Sequence, residues 1–352
     1  MLKEFVLTGP KKIEFRDYHE PELKETEVRI KTIMSGISQG TEVSEYRGTM
    51  PYRFKDYDET YTLFVKKTEE SKPYYPLYLG YENVGIISEV GKKVNNYRKG
   101  EIVSAFLPHR PTNVVEAVNP GYWKGLLKLG GKIKPEEGIF INLAVVALVA
   151  AHDGRIKLGD RIAIFGAGCI GLILTQMVKL SGAEAVFVVD LDEKRLELAK
   201  ELGADYIFNP EKVEDVSLEI KKKTARIGAD TALDCSGTYK GLNEALRCVV
   251  KGGRVVNVGT QQGGGSDLHF SEEFHHNRLE IIQTEPVWYN LHRNHPHWNW
   301  LRAKETVVEL INKKRIKLQE MLTNIYDFEK AIEVYKKLDE KKENIIKSAF
   351  KY

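Results

Sequence analysis

The stretch RIAIFGAGCIGLILTQMVKL, Arg161 to Leu180, decides the fold. A β-favouring run, Arg161 to Phe165, passes into glycines at Gly166, Gly168 and Gly171, and then into an apolar-periodic segment that predicts a helix. Asp190 stands 19 residues after Gly171 and closes the next strand signal, AVFVVD. Glycines at this spacing are a weak sign alone. Between a strand and a helix, with an acid ending the following strand, they form a dinucleotide-binding fingerprint. Gly166 makes the tight turn, Gly168 lets a pyrophosphate approach the backbone, and Gly171 lets the helix pack on the strand. The helix N-terminus offers free N–H groups and a positive dipole end to the phosphates. A carboxylate at Asp190 accepts hydrogen bonds from both ribose hydroxyls and repels a 2′-phosphate, so the expected cofactor is NAD rather than NADP. An α/β domain whose glycines bind nothing is the competing reading.

Composition bounds the rest. The chain has 352 residues, 42% of them hydrophobic, enough for large cores and most simply divided into two domains. Its formal charge of +3 comes from interleaved Lys and Glu, not from a basic block, and nothing asks for nucleic acid. Lys3 and Glu4 interrupt what a secretory signal would keep apolar. The longest nearly apolar run, Gly138 to Ala151, contains Asn142 and is too short to span a bilayer. Cys169, Cys235 and Cys248, at unrelated spacings, make neither a disulfide framework nor a zinc knuckle. A soluble cytoplasmic protein is expected, with a small-molecule substrate and no membrane partner.

From Arg161 onward, strand and helix signals alternate. A charged helix signal, Glu193 to Leu202, stops at Gly203 and is followed by the strand DYIFNP, a helix over Val216 to Lys223, and the strand TALDCSG. A helix over Gly241 to Val249, the strand RVVNVGT and a last β signal, LEIIQTE from Leu279 to Glu285, complete about six parallel strands, a full Rossmann doubly wound sheet. The first part reads differently. Short strands such as EVRIKTIM and NVGIISEVG, broken by Gly and Pro, predict a β-rich domain. After the sheet come WYNLHRNHPHWNW, the helix signal LRAKETVVELINKK, and a tail expected to return to the first domain.

Taken together, SGISQGTEVSEYRG, GYENVGIISEVG, GDRIAIFGAGCIG, DCSG, GGRVVNVGT and FEKAIEVYKKL resemble the medium-chain dehydrogenase/reductase superfamily of zinc alcohol, sorbitol and threonine dehydrogenases. The resemblance implies an α/β chain with a GroES-like β-rich catalytic domain over 1–150, completed by the tail 291–352. It places a Rossmann NAD-binding domain over 151–290 and an active site in the cleft between them. The expected cofactor-binding set is Gly166, Gly168, Cys169, Ile170, Gly171, Asp190, Arg195, Cys235, Ser236, Gly237, Val258, Gly259, Thr260 and Thr284. Family members usually pair their last Rossmann strands edge to edge, and LEIIQTE would leave an exposed edge if single, so a homodimer or homotetramer is expected.

The chain departs from the family where the zinc ligands should be. Ser38 stands at the first ligand, Tyr81 replaces the His of a GHE motif, and the third ligand falls near Ile141 or Asn142; only Glu82 survives. The four-cysteine structural zinc lobe is missing. The expected site is therefore metal-free. The SGISxGTE pattern with GYE most resembles the bacteriochlorophyllide dehydrogenase-like branch, whose members lack the usual zinc ligands. An insert between Ser38 and Tyr81 carries YRFKDYDETYTLF and SKPYYPLY, aromatics that either line a substrate pocket or pack as a surface loop.

Without zinc, another group must handle the hydroxyl proton when hydride leaves carbon for the nicotinamide. Thr41 matches the family's relay hydroxyl, while the relay's usual terminal His is Ser44. Tyr81 is the candidate acid or base, with Glu82 or Glu42 tuning it, or else a pocket wall filling the vacated metal volume. Glu82 also has a structural reading. His109 is a further proton candidate, or else a loop histidine satisfied by backbone; His152, beside Asp153, suits a helix C-terminus. His275 and His276 precede the last strand, and His292, His295 and His297 lack an acidic or Cys partner at ligand spacing. The expected activity is NAD-dependent hydride transfer to or from a secondary alcohol of a polyol, sugar or cyclitol. The alternatives are a zinc-free quinone or enoyl reductase and a catalytically silent NAD-binding protein.

Overall fold

The computed structural model describes residues 2–69, 71–120, 125–284, 297–340 and 345–352. The chain forms two compact units, Met1–Ile139 with Leu322–Tyr352, and Phe140–Met321.

The second unit carries a six-stranded sheet in the order Tyr206–Phe208, Ala185–Val189, Arg161–Phe165, Ala229–Asp234, Val249–Asn257, Glu280–Gln283. Every neighbouring pair is parallel. The first strand in sequence lies at the centre, and the order reverses between it and Ala229–Asp234, as in a doubly wound sheet. The central strands are apolar almost throughout because helices cover both faces. Asp192, Asp215 and Thr238 each accept backbone N–H groups at the start of the next helix, which begins those helices at Glu193, Val216 and Tyr239. The cap at Thr238 starts the helix Tyr239–Cys248 two residues before the predicted Gly241, and Val249 opens the following strand instead of closing that helix.

Helix Ile141–Asp153 is apolar nearly all round and packs against helices Cys169–Leu180 and Trp300–Asn312. This packing draws residues 140–150 and 297–321 into the unit that carries the parallel sheet. The compact units thus part at 139/140 and 321/322, not at the 150/151 and 290/291 read from the sequence.

The first unit is built on a seven-stranded, mostly antiparallel sheet. Its main path runs Leu322–Asp327, Lys347–Lys351, Glu27–Ile37, Glu82–Val90, Ile102–Ala105, Leu127–Lys128, and Thr112–Glu116 also pairs with Glu27–Ile37. The tail enters this sheet, with Ala349 opposite Gly36 and Phe350 opposite Ser35. Phe5, Phe328, Tyr335 and Phe350 form an aromatic core beneath it. The Tyr-rich insert forms a separate hairpin, Lys55–Asp58 with Leu63–Lys66, exposing Phe54, Tyr57, Tyr61 and Phe64, while the Tyr74 hydroxyl donates to Glu45. Among the described residues no helix is long and apolar enough to cross a membrane.

Candidate active site and cofactor crevice

Helix Thr41–Arg47 starts without a side-chain cap at Gly40, so its first turn is satisfied from the preceding residues. Ser38 Oγ accepts from the Thr41 N–H at 3.3 Å, and Glu42 Oε1 accepts from the Ser38 N–H at 2.9 Å. The other Glu42 oxygen lies 2.8 Å from His109 Nε2 and accepts from the Tyr335 hydroxyl. His109 Nδ1 is 2.6 Å from Ser35 Oγ, which is 2.8 Å from the Tyr352 hydroxyl. Glu42 and His109 are buried. Burial alone would raise the Glu42 carboxyl; the charge and hydrogen bond of His109, with Tyr335 and the Ser38 N–H, outweigh it and hold the carboxyl below its usual range. Both His109 ring nitrogens are engaged, which leaves neither for a metal or a substrate.

Gly80 and Tyr81 bring the second element of the site. Gly80 has φ +108°, and a Cβ there would lie 2.5 Å from the His109 backbone nitrogen, so this turn admits only glycine. The Tyr81 phenol hydrogen-bonds the side chains of Ser38 and Thr41, and its ring stacks on Phe106 with centroids 5.2 Å apart. Burial raises the phenol far above its ordinary pKa, Glu82 and Glu42 push it further, and the two hydroxyls only partly offset them. The phenol therefore keeps its proton at physiological pH.

Glu82 opens the strand Glu82–Val90 and pairs with Lys347 Nζ, which also donates to the Ile37 carbonyl at 3.0 Å. Gly36 makes room for the pair: a Cβ there would fall 2.3 Å from Glu82 Oε2. Burial pushes the Glu82 carboxyl up despite Lys347. Lys347, Tyr335, Ser35 and Tyr352 are the site-supporting residues that sequence reading missed. The one available signal was Lys347, a charge inside the otherwise β-favouring run IIKSAF.

Of the zinc-ligand positions read from the sequence, Ser38 and Tyr81 hold hydroxyls, Ile141 and Asn142 are buried at the start of helix Ile141–Asp153, and the surviving acid Glu82 is already paired with an ammonium. Glu82 Oε1 is buried without a hydrogen-bond partner, and the imidazole whose charge reaches this carboxylate, that of His109, already has both ring nitrogens engaged. Among the described residues no group of three or more His, Cys, Asp or Glu side chains could hold a metal ion. These residues do not fit a zinc site. Of the other histidines, His152 packs edge-on against Trp298, His275, His276 and His297 are exposed, and His292 and His295 lie outside the described residues.

In the second unit, Gly166 has φ +98°, and a Cβ on it would lie 2.9 Å from the Cys235 carbonyl carbon and the Ser236 nitrogen. A Cβ on Gly171 would lie 1.9 Å from the Gly166 oxygen, whereas Gly168 faces open space. Asp190 Oδ2 accepts from the Ala167 N–H at 2.6 Å and Oδ1 from the Asp192 N–H at 2.9 Å, which fixes the carboxylate beside the glycine loop. Cys169 and Ile170 begin the helix after the loop, and Arg195 lies in the first turn of helix Glu193–Glu201. Cys235, Ser236 and Gly237 form the turn against Gly166, and Gly259 packs on Gly237. The Val258 N–H donates to the Asp234 carbonyl, and Thr260 is exposed. The Thr284 hydroxyl donates to Asp153 inside the unit. The glycine loop, helix N-terminus and Asp190 fit a dinucleotide.

The Glu42 cluster carries a linkage prediction. A depressed folded-state pKa adds stability that is present above the unfolded value and is lost as pH falls through the folded one. Glu42→Gln should cost about 3 kcal/mol at pH 7 in denaturant unfolding. The gap from wild type should shrink below about pH 4 as Glu42 protonates in both states. A gap independent of pH would show that the Glu42 charge is not the stabilising feature.

Comparison with known proteins places these features. Residues 169–289 match the family described as "Zinc-binding dehydrogenase". D-guloside 3-dehydrogenase of Shigella flexneri is 28% identical over 341 residues, covering 95% of each chain. (R,R)-butanediol dehydrogenase of Bacillus subtilis is 30% identical over 280 residues, covering 74% of this chain and 77% of that one. The crystal structure of 2R,3R-butanediol dehydrogenase from Bacillus subtilis superposes with a TM-score of 0.80 at 23% identity over the full length of both chains, which supports the GroES-like and Rossmann architecture. With its fingerprint sheet, its tail-completed β unit and these likenesses, the chain belongs to the zinc-type alcohol and polyol dehydrogenase family of the medium-chain dehydrogenase/reductase superfamily, as an oxidoreductase acting on CH–OH groups.

Proposed function

We propose that this protein transfers hydride between NAD and a secondary alcohol of a polyol, sugar or cyclitol, at an active site without zinc. The observation that carries the reading is the hydroxyl cluster of Tyr81, Ser38 and Thr41 at the place where family members hold their metal. Relatives named for guloside and butanediol substrates support the alcohol class.

NAD, when bound, accepts or returns hydride at its nicotinamide ring. The protein's part is the proton. The Tyr81 phenol is too weak an acid to stand as a phenolate base. As a donor, it hydrogen-bonds the substrate oxygen and gives its proton when a carbonyl is reduced. In the oxidising direction it takes the alcohol proton as its own passes to the exposed Thr41 hydroxyl, which releases its own proton to water, and reduction runs the same relay in reverse, so the phenol is never left as a phenolate. Phe106, stacked on the ring, restricts its orientation. Glu42 and His109 act one layer back: they hold the Ser38 backbone and the helix start, and touch no reacting atom.

This mechanism predicts well under one zinc per chain by elemental analysis, with activity indifferent to chelators. Tyr81→Phe should lower kcat about 100-fold while leaving NAD affinity unchanged. Stoichiometric zinc lost together with activity would overturn the metal-free reading, and a fully active Tyr81→Phe would reduce the phenol to a pocket wall.

The Asp190 carboxylate, held beside the glycine loop by two backbone N–H groups, supports NAD over NADP. NAD should bind at least about tenfold tighter, roughly 1.4 kcal/mol, and Asp190→Ser should narrow the gap in calorimetric titrations. Equal affinity in wild type would refute it.

The strand Glu280–Gln283 is the outer strand of its sheet among the described residues, and its free edge supports a homodimer. Light scattering at micromolar concentration should give twice the 40.1 kDa chain mass; a monomer would count against this assembly.

A further inference from the structure

We propose that Asp234 is a charge-selecting residue of the cofactor crevice, whose buried carboxylate favours the oxidised, cationic nicotinamide over the reduced, neutral one. The inference rests on the dinucleotide reading and goes beyond it, because the fingerprint binds phosphates and ribose and is indifferent to the redox state of the ring.

The position comes from the sheet. Asp234 ends the strand Ala229–Asp234 and lies in register with Phe165, the residue before Gly166. The Cys235 N–H donates to the Phe165 carbonyl at 2.7 Å, and the turn that follows Asp234 packs directly on Gly166. Asp234 thus lies at the carboxyl end of the strand beside the switch point. In a doubly wound sheet the acid ending the second strand takes the adenosine ribose, so the second mononucleotide lies over the strands beyond the switch. Here these are Ala229–Asp234, Val249–Asn257 and Glu280–Gln283.

The charge comes from what surrounds the carboxylate. Asp234 is fully buried, and its partners are the Ser236 N–H at 3.0 Å, the Ser236 hydroxyl at 2.7 Å and Gln261 Nε2 at 2.8 Å. All three are neutral donors, and no cationic side chain pairs with Asp234 among the described residues. Burial pushes its carboxyl up to about 6, which is the mark of a buried charge that lacks a countercharge. The carboxylate is nevertheless held in place. Gln261 exchanges hydrogen bonds with Asn257 at 2.8 and 2.6 Å, and Asn257 donates to Gln283 at 2.5 Å, so a row of carboxamides spans the ends of three strands. Such a site is completed by a cation, and the oxidised nicotinamide ring is one.

Binding constants for NAD+ and NADH, measured by calorimetry at pH 7.5, test the proposal without any turnover. Asp234→Asn keeps the size and one acceptor; it should weaken NAD+ about tenfold and leave NADH within about twofold. Gln261→Lys, at a half-buried position, places a cation beside an intact carboxylate and should lower the NAD+ to NADH preference in the same sense. Equal loss for both redox forms in the folded variants would make Asp234 a brace of the 235–237 turn and overturn the proposal, as would an unchanged ratio in Gln261→Lys. Wild-type protein that binds only NADP+ and NADPH would refute the choice of NAD instead, and the same two variants then decide the Asp234 question with that pair, whose rings carry the same charges.

Discussion

The Glu42 carboxylate ties together elements that the chain keeps far apart. It meets the Ser38 N–H, His109 and Tyr335, and so joins the start of helix Thr41–Arg47, the loop before the strand Thr112–Glu116 and the tail helix Ala331–Glu340. A buried carboxylate with an unmet partner is costly, so each of these elements is held where its donor reaches Glu42. Ser38 and Thr41 inherit their positions from this anchor, and the Tyr81 phenol inherits its hydrogen bonds from them. The acid behind the site thereby sets the geometry of neutral hydroxyls in front.

The second buried ion pair, Glu82 with Lys347, does different work. Glu82 opens the strand Glu82–Val90, and its carboxylate faces an ammonium brought in by the last strand. The ammonium offsets only part of the cost of burying this carboxylate, which burial still pushes up. Gly36 is the steric condition for the arrangement, since any side chain there would occupy the space of the pair.

In the sheet-bearing unit the controlling constraint is steric. Gly166 and Gly171 sit where backbone approaches backbone, and their contacts set how closely the helix Cys169–Leu180 and the turn 235–237 approach the first strand. That close packing aligns the ends of Phe165 and Asp234, and with them two carboxylates of opposite circumstance. Asp190 is half-exposed and bonded to backbone donors, while Asp234 is buried among neutral side-chain and backbone donors.

The alternation of strands and helices after Arg161, the glycine loop between strand and helix and the acid that ends the following strand were all legible in the sequence, because each is a property of contiguous residues or of short fixed spacings. Of the tail expected to return over 291–352, residues 322–352 group with the first unit, while 297–321 group with the parallel sheet. The partnerships that define the site were decided by tertiary structure alone. Glu42 and His109 are 67 residues apart, Glu82 and Lys347 are 265 apart, and Glu42 and Tyr335 are 293 apart. Nothing local marks such pairs, since a charged residue reads as solvent-exposed until the fold removes it from water. His109 shows the difference: its sequence neighbourhood leaves open a histidine projecting to substrate or a loop histidine satisfied by backbone, and the fold buries it with both ring nitrogens on side chains, Ser35 and Glu42.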